Sequence, residues 1–120
     1  MGTYVDGFVL PVPKDRLDEY RKVSTKMGEL FRRHGALEYV ECLADDVKPG
    51  KVTSFPQSVQ LKPEETVIFS WIKYASRADR DRISDAVMKE PSIKELMDPA
   101  KSTFDMQRMF FGGFSELIRL

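Results

Sequence analysis

The chain has 120 residues, enough for one domain over residues 1–120 with a core of its own. Nineteen Lys and Arg balance nineteen Asp and Glu, and a formal net charge of zero argues against binding nucleic acid or an anionic membrane by bulk attraction. One Cys and one His exclude a disulfide framework and any metal site of the zinc type built from this chain alone, and nothing points to a cofactor. No apolar run approaches the roughly 20 residues of a membrane span. The first residues carry neither the basic region nor the apolar stretch of a secretory signal, so a cytoplasmic location is expected.

Residues 3–12 are β-branched and aromatic and read as a strand that Pro13 closes. Over 14–34 the apolar positions Leu17, Tyr20, Val23, Met27, Leu30 and Phe31 recur at helical spacing. Acidic residues lead that helix, Arg32 and Arg33 end it, and Gly35 is its stop. Residues 36–44 read as a second strand. The stretch 45–65 holds three prolines but is too long for a structureless connection, so a helical turn or an extra edge strand is expected within 53–61. Residues 66–75 give the plainest strand pattern. Ser76 and Asp79 then resemble a capping box, and Ile83, Ala86 and Val87 form the inner face of the next helix. Pro91 ends it, a short turn over 92–97 follows, and 107–114 reads as the last strand.

The order β-α-β-loop-β-α-β describes an α+β, ferredoxin-like fold: a four-stranded antiparallel sheet with both helices on one face. An RNA-recognition module shares this order, but the third strand, Val67-Ile68-Phe69-Ser70-Trp71-Ile72, lacks that module's basic, glycine-bearing aromatic pattern. Both faces of the sheet are apolar. Val67, Phe69 and Trp71 alternate with Ile68, Ile72 and Tyr74, and Phe110 and Phe114 alternate with Phe111. Two helices cover one face only, so the sequence predicts a homodimer with sheets face to face.

Asp6 and Arg108 are ionisable residues inside apolar segments predicted to be neighbouring strands. Each needs a partner if buried, and two readings stand: a structural salt bridge or dimer register lock, and a polar pair holding a small ligand in an apolar cavity. Trp71, on a central strand, reads first as core. Glu41 and Cys42 face opposite ways. Cys42 reads as a small buried hydrophobe, and Glu41 has Lys73 as a candidate partner. His34 reads as a cap on the end of the first helix.

Tyr4-Val5-Asp6-Gly7-Phe8, Gly35-Ala36-Leu37 leading to Glu41-Cys42, Gly50-Lys51-Val52-Thr53 with Phe55, Phe69-Ser70-Trp71-Ile72, and Arg108-Met109 with Gly112-Gly113-Phe114 resemble the YbaA-like family of uncharacterised bacterial proteins. The resemblance runs over nearly the whole chain. It implies the dimeric α/β-barrel version of the ferredoxin-like fold and no established activity. The wider superfamily holds cofactor-free monooxygenases, haem-degrading enzymes and stress-responsive dimers. Asp6 and Trp71 could fill two of the roles of the haem-degrading members, but residues 77–90 contain no His for an axial ligand. The expectation is therefore a cytoplasmic homodimer that binds a small, partly apolar organic molecule between sheet and helices, with Asp6, Trp71 and Arg108 near it. Two alternatives accompany it: a cofactor-independent monooxygenase or isomerase with Asp6 as polariser or base, and a non-catalytic stress-response or structural dimer.

Overall fold

A computed structural model of the protein describes residues 2–120. Four strands, β1 (Tyr4–Pro13), β2 (Glu38–Leu43), β3 (Glu65–Tyr74) and β4 (Phe110–Ser115), form one sheet in the order β2-β3-β1-β4. Every neighbouring pair is antiparallel. With helices α1 (Leu17–Arg33) and α3 (Arg77–Met88) between the strands, this is the expected ferredoxin-like architecture. A one-turn 3-10 segment (Lys14–Arg16) leads into α1, which ends where His34 caps it and Gly35 takes φ +117°, a conformation that disfavours a side chain. Ser76 starts α3 by accepting the Asp79 amide N–H at 3.1 Å, as the capping pattern predicts.

Strand register decides which residues share a face. Asp6 lies opposite Ile72 and Gly113, and Glu41 opposite Ser70. Ile72 and Tyr74 pack with Leu30 and Phe31 of α1 and Ile83 and Val87 of α3. Leu10, Val12 and Ile68 form a second cluster against Leu17 and Tyr20. The even-numbered positions of β1 and β3 therefore face the helices, and Val5, Val9, Val67, Phe69 and Trp71 face away.

That second face is only partly covered. The long stretch after β2 forms a single helical turn, α2 (Phe55–Ser58), where a turn or an edge strand was expected. It lies over the sheet where Val9, Val59 and Val67 cluster. Phe69, whose ring meets Phe55 of α2 at 5.9 Å, and Phe110 and Phe114 beyond it stay 44%, 47% and 65% exposed. Cys42 is exposed on this face too, and not the buried hydrophobe its sequence suggests, because β2 is an edge strand and α2 does not reach over it.

The last strand differs from its expected bounds. After the short helix α4 (Ile93–Leu96) the chain forms 3-10 turns at Pro99–Lys101 and Met106–Arg108, and β4 begins only at Phe110. Asp105 causes this. Its carboxylate accepts the Gln107 amide at 3.0 Å and the Arg108 Nε–H at 2.9 Å, winding Arg108 into a turn.

Candidate functional site

Asp6 and Arg108, expected as a pair, do not meet. Asp6 is buried under α3, 3.3 Å from Arg80 Nε, and accepts the Tyr74 hydroxyl at 3.1 Å. Arg80 also donates to the Tyr4 hydroxyl at 3.1 Å and stacks over that ring at 5.0 Å. A Cβ at Gly113 would run into both the Tyr4 hydroxyl and the Arg80 guanidinium, so the glycine makes room for this cluster. Burial holds the Asp6 carboxyl above its ordinary range, against the opposing pull of Arg80 and Tyr74.

Arg108 instead clamps the opposite end of the sheet. Its two terminal nitrogens grip Glu65 at 2.7 and 2.6 Å, and it also donates to Asp105 and to the carbonyls of Val59 and Gln60. Bonding to Arg108 holds the Glu65 carboxyl below its usual range. Trp71 is separated from both. Its ring lies on the open face, 6.0 Å from Phe69, with Nε1–H donating to Glu38 at 3.1 Å. The three candidates thus occupy three places: one ion pair at each end of the sheet and one aromatic on its far side.

Between α1, the sheet and the segment that follows α4 lies a cavity of about 230 Å³. Phe8, Leu10, Val23, Met27, Phe31 and Ile72 supply apolar walls, and Met97, Phe104 and Met109 close it from the C-terminal side. Polar side chains border it as well, among them Ser70, Asp98, Lys101, Thr103 and Glu41. Glu41 faces inward from β2, and not toward Lys73, because register places Lys73 opposite Glu38 on the other face. Its Oε1 accepts the Tyr20 hydroxyl in a very short hydrogen bond, and Tyr39 supplies a second phenol beside it. Tyr39 is held in turn by Ser24 at 3.1 Å.

Among the described residues no cation pairs with Glu41. Burial raises its carboxyl above the ordinary glutamate range, and the two tyrosines only partly offset that. Burial and the adjacent carboxylate push both phenols well above their ordinary values, so Tyr20 and Tyr39 remain hydrogen-bond donors. Tyr20, Ser24, Tyr39 and Glu41 also border an outer cleft between α1 and β2, where Arg21 and Glu29 stand. The network is a partition with an apolar chamber on one side and a polar cleft on the other.

The other singled-out residues have simpler places. His34 is the C-cap residue of α1 through its backbone, whose amide donates to Leu30 at 3.1 Å, while its ring meets Glu90 at 2.8 Å. No group of three or more metal-ligating side chains occurs among the described residues. No helix there is long and apolar enough to cross a membrane.

The family described as "Protein of unknown function (DUF1428)" matches residues 3–106. The uncharacterized protein YbaA of Escherichia coli K12 is 45% identical over 115 residues, covering 96% of this chain and 97% of YbaA. Among solved structures, a dimeric ferredoxin-like protein from an uncultured marine organism superposes with a TM-score of 0.59 at 15% identity, covering 100% of this chain and 95% of that one. A candidate antibiotic biosynthesis monooxygenase from Nitrosomonas europaea gives 0.54 at 13% identity, covering 98% and 93%. These distant likenesses concern the fold.

Proposed function

The chain belongs to the DUF1428 family, whose function is unknown, and on that footing we propose that it is a cytoplasmic homodimer that binds a small, largely apolar organic molecule between sheet and helices. The observation that carries this reading is the cavity itself: about 230 Å³ of mostly apolar space bordered by the half-buried Glu41 carboxyl, which has no cation partner among the described residues. A core without a ligand packs tightly and pairs its buried charges. Asp6 and Glu65 obey that rule, and Glu41 departs from it beside an open space. In this reading the site centres on Glu41 with Tyr20 and Tyr39; Trp71 borders the same cavity, and Asp6 and Arg108 do not line it.

The homodimer rests on the other side of the sheet. Phe69, Phe110 and Phe114, with Trp71 among them, form an apolar surface of the kind soluble chains cover. Leu117 and Ile118 follow directly from β4 and are 92% and 73% exposed. A second copy laid sheet to sheet would bury both sets, and the solved relative described as a dimeric ferredoxin-like protein is consistent with that arrangement.

Native mass spectrometry of protein purified gently from its own host tests both parts. The expected spectrum shows a dimer carrying a reproducible small-molecule mass, and Met27→Trp, which fills the cavity, removes the added mass while leaving the dimer. A monomer at micromolar concentration contradicts the face-to-face assembly. A bare protein that also fails to take up any single-ring hydrocarbon contradicts the cavity reading.

A further inference from the structure

The shape and chemistry of the cavity narrow its ligand further, on the premise that it is a binding site. We propose that Glu41 is the specificity-determining acceptor of this cavity and that the ligand is a neutral single-ring molecule bearing one hydroxyl, of the phenol type, whose O–H donates to the Glu41 carboxylate. The inference has three supports: size, hydrogen-bonding capacity and charge.

Size admits one ring. An engineered apolar cavity of about 150 Å³ in another protein binds benzene, so about 230 Å³ accommodates one ring with small substituents. Aromatic walls from Phe8, Phe31 and Phe104 suit a flat ring.

Hydrogen-bonding capacity sets the donor. An ionised carboxyl offers about four acceptor positions, and Tyr20 and Tyr39 supply one donor each. Both phenols keep their protons; Tyr20 donates to the carboxyl, Tyr39 stands beside it bonded to Ser24, and Glu41 is left as the acceptor that the chamber presents. On the chamber side a ligand with no donor leaves an acceptor position of Glu41 unused, and one hydroxyl fills it.

Charge sets the neutrality. An anionic ligand would meet Glu41 where no cation bonds that carboxyl: Lys101 stands at the rim, 3.4 Å from Glu95, and Arg21 and Arg32 line the cleft on the other side of the partition. An ammonium would have to leave water with three donors to satisfy against largely apolar walls.

Calorimetric titration of the intact protein with three probes tests this: toluene, 4-methylphenol and 4-methylbenzoate, identical in ring and methyl group. The expected order is 4-methylphenol tighter than toluene by at least about tenfold, and no measurable binding of 4-methylbenzoate. Glu41→Gln keeps the side-chain volume and should cut the phenol's advantage over toluene to about threefold or less. Equal affinity for toluene and 4-methylphenol overturns the inference. So does tight binding of 4-methylbenzoate, or an advantage that survives Glu41→Gln. The wild-type series decides the matter even if the variant does not fold. Toluene bound without a phenol preference sinks this inference alone, whereas failure of all three probes sinks the binding site itself.

Discussion

Asp6, buried, and Glu41, half-buried, lie on the helix-covered face of one sheet, and burial raises both carboxyls. Their surroundings differ. Asp6 has a guanidinium 3.3 Å away and a tyrosine hydroxyl at 3.1 Å. Glu41 has two phenols, no cation and a chamber beside it. The first arrangement is how a fold tolerates a charge: each partner covers the other's desolvation cost. The second holds a polar group where something else can reach it. A buried acid is therefore informative through what is missing around it.

Breaking the compensated pairs should have the largest consequences. Arg108→Ala leaves Glu65 buried without its cation and frees the carbonyls of Val59 and Gln60. A loss of about 3–5 kcal/mol in urea unfolding is expected. Arg80→Ala strands Asp6 in the same way at a single, longer ion pair, and about 3 kcal/mol is expected there. Gly113→Ala keeps every charge but drives a methyl group into Tyr4 and Arg80, which should cost about 1–3 kcal/mol. Glu41→Gln should change stability at neutral pH by no more than about 1 kcal/mol, because it removes an uncompensated charge along with the bonds that charge accepts.

Acidity sharpens the same contrast. The folded state holds protons on Asp6 and Glu41 more tightly than the unfolded chain does, since both carboxyls are raised. Each therefore adds stability as pH falls through its raised value toward the ordinary carboxylate range. Glu65 is lowered, so its contribution is present above the ordinary value and is lost as pH falls through the folded one. Unfolding curves of wild type and Glu41→Gln between pH 7 and 4 should move in the wild type's favour with acid. Curves for Arg108→Ala against wild type should converge below the lowered Glu65 value, because the ion pair no longer distinguishes the two proteins there.

The fold was legible because its signals are local. The alternation in β1 and β3, the helical spacing from Leu17 to Phe31, and Ser76 before α3 each fix one element without reference to the rest. The two-faced character of β3 was legible for the same reason. The partners of the charged residues were not. Asp6 pairs with Arg80, and Arg108 with Glu65, across separations of 74 and 43 residues, and those contacts depend on register and on the turn at Asp105. Arg108 read as a strand residue only because the turn that removes it from β4 is built by a side chain three positions earlier. The Glu41 site carried one signal. An acid shares its alternation with Tyr39 and Leu43 on β2, while Tyr20 stands on the inner stripe of α1. That pattern becomes a site only once one knows which face of β2 meets the helices.

The most direct test follows the two carboxyls together by carbon-13 NMR across pH, in wild-type protein with and without saturating 4-methylphenol. Glu41 should titrate above the ordinary glutamate range in the free protein, and its midpoint should fall when the phenol donates to its ionised form. Asp6, committed to Arg80, should keep its midpoint. Two midpoints that stay fixed at saturation, or a shift confined to Asp6, would contradict the assignment of the site to Glu41.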